Sequence, residues 1–359
     1  MLIDTPHIPF RPHPWLPGGH LQTIIGYYLP NPRRLSHTRL HHIKLPDGDT
    51  LVICENRPSR KSTFVGTIVF MHGLGGEASS PYMLRLADLF RARGWNTFRM
   101  NHRGCGEGKG LARQIYHSGR SDDVSRVLGY VSECYPDAPM VAVGFSLSGN
   151  ALLKLLGEGR YAVPQNLCGA ITITPPIDLS KCAAALCKPS NKIYDLRFVL
   201  MLKHAIKERR LQFLDFPDIK FPWNINIRDF DEICTAPLNN FVSAEDYYAK
   251  CSAKQFLTGI TVPTFLLASD DDPFVPKEMF DNLPVNKHFE VHITRGGGHM
   301  GFICAEKTPL GNHRWLDYFI LFHSEKSCFK KSYIIKREEN SITNKLEKQI
   351  SKFSPKNLD

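Results

Sequence analysis

The sequence predicts an α/β fold, in which a mostly parallel central sheet is covered by helices on both faces. Residues 67–71, Thr-Ile-Val-Phe-Met, form an unbroken apolar run that is typical of a strand buried on both sides. Residues 139–156 read as a strand, a tight turn and a helix. The segments before and after them repeat this β-α alternation, which favours a parallel sheet over separate layers of strands and helices.

The composition indicates an ordinary globular protein that needs no cofactor. The chain has 359 residues, of which 42% are hydrophobic and 22% charged. Its ten cysteines are scattered, and neither a CxxC pair nor an HExxH motif occurs, so the sequence indicates no metal site and no disulfide framework. The net charge of +10 is spread along the chain without a basic stripe, so no nucleic-acid partner is expected.

The N-terminal region, residues 1–39, is rich in Pro, His and Arg and is predicted to be an arm with little regular structure. It lacks the basic start and apolar core of a signal peptide. No apolar stretch of the chain reaches the length of a membrane span, so a cytoplasmic location is expected. Within the arm, His20 is compatible with a place near a functional site or with a structural role.

The main domain is predicted over residues 40–322. A β-hairpin is expected around the turn at residues 46–49, and the strand at 67–71 stops in a glycine-rich turn, His72-Gly73-Leu74-Gly75-Gly76. Glycine backbone lets an N–H group face a substrate oxygen, so Leu74 is a candidate oxyanion donor, although a plain turn would read the same way. The further elements expected are a helix over 80–93, a strand over 96–100, a helix from 122, a strand over 169–174 and a helix over 315–322.

Residues 178–255 interrupt the alternation and are predicted to form a helical lid inserted between two core strands. They contain a helical stretch over 196–210 and aromatic segments around 213–216, 221–223 and 247–248. These aromatic side chains are expected either to shape a pocket for an apolar group or to pack the insertion onto the core.

The turn at Ser146 has the pattern of a nucleophile elbow, Gly144-Phe145-Ser146-Leu147-Ser148, in which a serine between strand and helix exposes its hydroxyl at the edge of the sheet. The amide of Leu147 is then the first oxyanion donor. Ser148 stands where the pattern usually has glycine, and the next residue is Gly149. A serine that simply caps a helix is the alternative interpretation.

Two further strands are predicted over 262–268 and 289–293. Three predicted strand ends thus supply a serine, an acid and a histidine in the order Ser146, Asp272, His299. Such residues form a nucleophile, a base and the acid that orients the base, in the order found in α/β-hydrolases. Asp272 is preferred because it begins the D-x-x-V-P ending, and Asp271 is the alternative. The glycines before His299 allow its loop to bend towards the serine.

Over residues 8 to 322 the chain resembles the YheT-like branch of the α/β-hydrolases, bacterial proteins similar to the membrane-anchored eukaryotic abhydrolase-domain esterases and lipases. The resemblance rests on these motifs: Gly19-His20-Leu21-Gln22-Thr23, His72-Gly73-Leu74-Gly75-Gly76, Asn101-His102-Arg103-Gly104-Cys105, Tyr116-His117-Ser118-Gly119, Ser146-Leu147, Gly149-Asn150, Asp271-Asp272-Pro273-Phe274 and Gly297-Gly298-His299-Met300-Gly301-Phe302. It implies a serine hydrolase of carboxylic esters that uses Ser146, Asp272 and His299.

The substrate expected from this reading is a small ester, with an apolar acyl group if the insertion shapes a pocket. An acyltransferase with the same triad, or a binding protein with an inactive site, are the alternatives. Residues 323–359 form a basic tail with nine Lys or Arg and five Asp or Glu. Between 340 and 353, one helical face would carry Ile342, Leu346, Ile350 and Phe353 opposite three lysines, as in a helix that rests on an anionic membrane or in a surface extension.

Overall fold

One eight-stranded sheet runs through the part of the chain that this computed structural model describes, residues 8–32, 34–58 and 62–328. Its spatial order is β1-β2-β4-β3-β5-β6-β7-β8. The first two strands form the expected hairpin and β2 is antiparallel to β4, whereas all other neighbours are parallel, which confirms the predicted mostly parallel sheet. The strands are β1 (Arg39–Lys44), β2 (Thr50–Asn56), β3 (Gly66–Met71), β4 (Trp95–Asn101), β5 (Met140–Phe145), β6 (Leu167–Ile173), β7 (Thr264–Ser269) and β8 (Phe289–Thr294).

Helices connect and cover these strands. They are α1 (Gly19–Tyr28), α2 (Pro81–Arg91), α3 (Ser121–Cys134), α4 (Leu147–Glu158), α5 (Leu179–Leu186), α6 (Lys192–Gln212), α7 (Ile227–Phe230), α8 (Ala236–Leu238), α9 (Ala244–Cys251) and α10 (residues 315–328). A π-helical turn, Asp231–Thr235, joins α7 to α8, and short 3-10 turns lie at Gly106–Gly108, Pro189–Asn191, Ala253–Gly259 and Lys277–Phe280. Among the described helices, none combines the length and the apolar character that crossing a membrane requires.

The sheet is buried on both faces, as its apolar strands predict. Successive side chains of a strand point to opposite faces. In β3, Val69 and Met71 therefore join the hydrophobic cluster that holds α3, α4 and the insertion, whereas Ile68 and Phe70 join the cluster that holds α2 and α10. This arrangement accounts for the unbroken apolar run, because each face of the strand needs apolar side chains.

Two segments differ from the expected secondary structure. The N-terminal arm was expected to have little regular structure, but it contains the ten-residue helix α1. The closing helix was expected over 315–322 and continues through 328 in the described chain, with His323 and Cys328 buried against the sheet. The amphipathic pattern over 340–353 lies outside the described residues.

Glu55 of β2 is a buried carboxylate that joins the hairpin to the rest of the sheet. It is 1% exposed and accepts hydrogen bonds from Asn96 Nδ2 and His41 Nε2 at 2.9 Å, from Arg57 Nε at 3.1 Å and from the Tyr135 hydroxyl at 2.5 Å. Burial alone would raise its pKa, but these donors outweigh burial and lower the pKa of Glu55 to about 2.

We expect Glu55→Gln to make the free energy of unfolding depend less on pH below about pH 4.5. Because the pKa of Glu55 is lower in the folded than in the unfolded chain, the stabilisation is present above the unfolded value near 4.5 and is lost as the pH falls towards 2. It amounts to roughly 3 kcal/mol. Urea unfolding at a series of pH values measures it, with the exposed Glu133→Gln as control; parallel curves for parent and Glu55→Gln would contradict the prediction.

Candidate active site

The carboxyl ends of the parallel strands bring the predicted site residues to one edge of the sheet. Ser146 follows β5 directly, at φ 50° and ψ −116°, a backbone conformation that costs energy in a residue with a side chain. Its amide donates to the carbonyl of Ile173 at 2.8 Å. A Cβ at Gly144 would lie 2.6 Å from the carbonyl oxygen of Ser148, so the turn requires glycine there. The hydroxyl of Ser146 caps no amide of α4, so the helix-cap interpretation is wrong.

His299 lies between Ser146 and an acid. Its Nε2 is 3.0 Å from Oγ of Ser146, and its Nδ1 is 2.7 Å from Oδ2 of Asp272. A neutral imidazole that donates from Nδ1 to the carboxylate has Nε2 free to accept the serine proton. The ring also packs on Phe274, with centroids 4.1 Å apart. The structure therefore brings the three predicted residues together. The histidine contacts the serine hydroxyl through one ring nitrogen and the carboxylate through the other, as a general base requires.

The two adjacent acids have different partners. Asp272 is 9% exposed, and its Oδ1 accepts the amides of Phe274 and Val275 at 3.0 and 2.9 Å, which leaves Oδ2 for His299. Asp271 instead accepts the amide of Gly298 at 2.8 Å. Asp272 thus contacts the imidazole, whereas Asp271 holds the backbone of the loop that carries it.

Helix α1 holds the same loop from the other side, through Thr23. The amide of His299 donates to Thr23 Oγ1 at 2.8 Å, and that hydroxyl donates to the carbonyl of Gly19 at 2.6 Å. A Cβ at Gly19 would lie 1.8 Å from the carbonyl oxygen of Asp271, so glycine permits the close approach. Residue-by-residue reasoning missed Thr23; the signal was its place in the motif of residues 19–23.

His20, on the same helix, contacts Tyr194 of α6. Its Nδ1 is 3.1 Å from the hydroxyl of Tyr194, and the two rings stack with centroids 5.6 Å apart. The contact joins α1 to α6, as the structural interpretation of His20 expects.

The residues of the two predicted oxyanion donors, Leu74 and Leu147, line the same pocket as Ser146. Leu147 is the first residue of α4, and the first amides of a helix have no acceptor within it. In the oxyanion loop, residues 72–76, the amides of Gly73, Gly75 and Gly76 donate to the Tyr82 hydroxyl, the Tyr116 hydroxyl and the Gly73 carbonyl. Within residues 73–76, the amide of Leu74 thus has no hydrogen-bond acceptor among the described residues. A Cβ at Gly73 would lie 3.1 Å from Cβ of Ser146, so this loop closely borders the predicted nucleophile.

Ser148, in the position where glycine is usual, has a buried hydroxyl beneath the oxyanion loop. Its Oγ donates to the carbonyl of His72 at 2.5 Å and lies 2.6 Å from Nε2 of His102. Nε2 of His72 accepts the amide of His102 at 3.2 Å. Burial lowers the pKa of His72 to about 4 and also holds the pKa of His102 well below its ordinary value, so both rings are neutral near pH 7. Ser148 therefore ties the oxyanion loop to α4.

We expect Ser148→Ala to lower the free energy of unfolding by about 1–3 kcal/mol, because it removes the buried hydrogen bond from Oγ to the carbonyl of His72 and leaves that carbonyl with the longer contact to Nε2 of His102, at 3.2 Å. Denaturant unfolding measures the change. The matched control is Ser125→Ala in α3, since the Ser125 hydroxyl donates to a carbonyl near the surface, and its change should stay within about 0.5 kcal/mol. Equal unfolding free energies for the two variants would contradict a structural role of the Ser148 hydroxyl.

Two pockets meet at Ser146, which lines both of them together with Leu74, Phe198 and Phe274. The inner pocket extends under the insertion and is mainly apolar, with lining residues that include Leu179, Leu186, Ile206, Ile227, Phe230, Tyr247 and Tyr248. The outer pocket opens between α1 and α6, and its lining includes Thr23, Ile24, Tyr27, Tyr28, Tyr194, Arg197, Met201 and His299.

The aromatic residues of the insertion divide between the two predicted uses. Tyr247 and Tyr248 line the inner pocket. Phe216 is buried in the core and Phe221 stacks on Phe230 with centroids 5.3 Å apart, whereas Trp223 is 92% exposed. Packing and pocket formation are thus both present.

The inner pocket carries little net charge. Its acid, Asp231, accepts hydrogen bonds from Thr235 at 2.6 Å and from Tyr248 at 2.8 Å, and burial raises the pKa of Asp231 to about 6. Its guanidinium, on Arg209, donates to the carbonyls of Ala112 and Arg103. Both groups are engaged with the protein, which leaves an environment suited to an apolar group.

Comparison with known proteins gives one family and a consistent set of relatives. The family model described as serine aminopeptidase S33 (Hydrolase_4) matches residues 63–303. The Escherichia coli (strain K12) protein named Putative esterase YheT is 31% identical over 325 residues, which cover 86% of this chain and 92% of YheT. Phospholipase ABHD3 of Homo sapiens is 27% identical over 241 residues, 66% of this chain and 58% of ABHD3.

Among solved structures, an acylaminoacyl peptidase of Pyrococcus horikoshii superposes with a TM-score of 0.52. The match covers 81% of this chain and 41% of the peptidase at 16% sequence identity. At this identity the similarity concerns the fold alone.

Proposed function

This chain belongs to the serine aminopeptidase S33 (Hydrolase_4) family, in the YheT-like branch of the α/β-hydrolases, and from that premise we propose that it hydrolyses carboxylic esters through an acyl-enzyme intermediate. One observation carries the proposal: His299 lies 3.0 Å from the hydroxyl of Ser146 and 2.7 Å from the carboxylate of Asp272. An inactive binding protein would have no need to keep this chain of contacts, nor the strained backbone at Ser146.

In the proposed first step, Oγ of Ser146 attacks the ester carbonyl carbon while Nε2 of His299 takes its proton. The amides of Leu74 and Leu147 stabilise the oxygen that becomes negative. Asp272 stabilises the imidazolium and keeps the proton of Nδ1 in place. Collapse of the tetrahedral intermediate breaks the bond to the alcohol, which leaves with the proton from Nε2, and the acyl group remains on Ser146.

In the second step, Nε2 of His299 takes a proton from water, and the hydroxyl oxygen attacks the acyl carbon. The same two amides stabilise the second oxyanion, and the acid is released as Ser146 regains its proton. No metal ion or organic cofactor takes part in these steps.

The two pockets suggest how an ester lies in the site. The apolar inner pocket suits the acyl chain, and the outer pocket, which Arg197 and several tyrosines line, suits the alcohol part. The proposed substrate is therefore a small ester with an apolar acyl group.

Pocket charge favours esters over peptides with a free amino terminus, although the family description names an aminopeptidase. An aminopeptidase has to bind a cationic α-ammonium group, for which a carboxylate is the usual partner. Among the described residues that line the two pockets, the acid is Asp231, which already accepts two hydrogen bonds, and the cations include Arg85 and Arg197.

The test is hydrolysis of p-nitrophenyl esters graded by acyl length, together with an aminoacyl p-nitroanilide as the peptide-like comparison. We expect turnover of the esters, stoichiometric labelling of Ser146 by a fluorophosphonate, and little turnover of the anilide. Addition of a competing alcohol separates hydrolysis from acyl transfer, because an acyltransferase would form the new ester as its main product. A chain that neither labels nor turns over any ester would refute the proposal.

A further inference from the structure

The two helices beside the outer pocket expose apolar side chains to solvent. In α6, Ile193, Leu196 and Leu200 are 83%, 53% and 57% exposed, and in α1, Tyr28 is 69% exposed. The full set, which we name the α1–α6 face, consists of Leu21, Ile24, Tyr27, Tyr28, Ile193, Leu196 and Leu200. Single exposed apolar residues are common, but a cluster from two neighbouring helices indicates an interaction surface.

The spacing places these residues on one side of each helix. Ile193, Leu196 and Leu200 stand at i, i+3 and i+7 of α6, and Leu21, Ile24 and Tyr28 have the same spacing in α1. Residues three, four and seven apart share a helix face. Each helix therefore presents an apolar stripe to solvent, in addition to the side that packs on the protein.

Contacts between the helices bring the two stripes together at the mouth of the outer pocket. His20 stacks on Tyr194, and the guanidinium of Arg197 lies over the ring of Tyr27 at 4.9 Å from its centroid. Residues next to the stripes, among them Tyr27 and Arg197, line the pocket that leads to Ser146 and His299. A flat apolar partner that covers the α1–α6 face would thus lie over the entrance to the candidate active site.

The exposed charges that these two helices carry beside this face are positive. Helix α1 has no acidic residue, and within residues 192–201 of α6 the acid is Asp195, which is 8% exposed and accepts the amide of Ile227 at 2.8 Å. Lys192 and Arg197, by contrast, are exposed. An apolar stripe with tyrosines and flanking basic residues is the composition of a surface that inserts between the headgroups of an anionic membrane.

We propose that the α1–α6 face docks on the surface of a bilayer that contains anionic phospholipid, so that lipid esters enter the outer pocket from the membrane. The proposal rests on the proposed ester hydrolysis for its purpose, but the docking itself needs no turnover. It concerns described residues of α1 and α6 and is independent of the C-terminal tail.

The test measures co-sedimentation of the full chain with vesicles of ether-linked phospholipids, which contain no carboxylic ester and cannot be hydrolysed. One set contains phosphatidylcholine analogues alone, and the other also contains phosphatidylglycerol analogues. We expect binding that is stronger on the anionic vesicles. In the triple variant Ile193→Gln, Leu196→Gln, Leu200→Gln, we expect the partition coefficient to fall about tenfold or more.

A matched control replaces three exposed apolar residues elsewhere, Leu214→Gln, Val242→Gln and Val285→Gln, which are 97%, 90% and 103% exposed. This control should bind vesicles like the parent, and both triple variants should hydrolyse soluble short esters at the parent rate. Equal sedimentation of the parent and the α6 variant, or equal binding to neutral and anionic vesicles, would overturn the docking proposal. Failure of the parent to hydrolyse soluble esters would count against the proposed function and leave the docking result to stand by itself.

Discussion

Replacement of Ser146 by alanine is expected to reduce ester hydrolysis by about 10⁴-fold or more, since no other group then forms the acyl-enzyme. The hydroxyl lies 3.0 Å from Nε2 of His299, in reach of its base, whereas Ser148, two residues on, has its hydroxyl bonded to His72 and His102. Initial rates with a short p-nitrophenyl ester measure the loss, and fluorophosphonate labelling should vanish in parallel.

The control for this prediction is the folded state of the variant. Alanine also has a Cβ, so Ser146→Ala retains the backbone strain at φ 50° and loses no cap of α4. Its free energy of unfolding should therefore remain within about 1 kcal/mol of the parent value. A folded Ser146→Ala variant with the parent rate would rule out Ser146 as the nucleophile.

The second large effect is expected for Asp272→Asn, with a loss in kcat of about 10⁴-fold. An amide at this position would offer its NH₂ to Nδ1 of His299 and favour the tautomer that carries the proton on Nε2. A protonated Nε2 cannot accept the serine proton. The buried Oδ1 contacts with Phe274 and Val275 can still be made by the amide oxygen. The fold should therefore persist while the base is lost.

The adjacent Asp271→Asn is the matched variant. Asp271 accepts the amide of Gly298 at 2.8 Å, and an asparagine oxygen can replace that acceptor, so we expect a loss of less than about tenfold. Steady-state kcat and KM of the two variants show which of the two acids supports His299. Should Asp271→Asn be the more damaged enzyme, Asp271 would be the acid that supports His299 during turnover, and the assignment made from the contacts would be wrong.

Much of the fold was predictable because local patterns agree with the tertiary structure. The apolar runs that became β3, β5, β6 and β7 are short and are bounded by turn residues, which is typical of strands at the centre of a parallel sheet. Helix α1 was not predicted. Its sequence, Gly-His-Leu-Gln-Thr-Ile-Ile-Gly-Tyr-Tyr, holds two glycines and lacks acids in its first turn, and its stabilising contacts come from Ile303 and the His299 loop, far away in the chain.

The candidate site was likewise only partly predictable from the sequence. Chain order and strand ends were sufficient to select Ser146, His299 and the pair of acids Asp271 and Asp272, because parallel strands bring their carboxyl ends to one edge. The hydrogen bonds of the Ser148 hydroxyl could not be predicted from the sequence, because its partners His72 and His102 follow two other strands. The division of the insertion aromatics between pocket and packing was equally undetermined.

By itself, then, the sequence determined which segments become strands, at which edge their ends meet, and which serine, histidine and pair of acids stand there. Only the tertiary structure decided that Asp272 faces the imidazole while Asp271 holds Gly298, that Thr23 supports the His299 loop, and that α1 and α6 flank one pocket mouth. The physical reason is that strand and turn preferences act between neighbours in the chain. The direction of a side chain depends on packing and hydrogen bonds across hundreds of residues, which exist only in the folded protein.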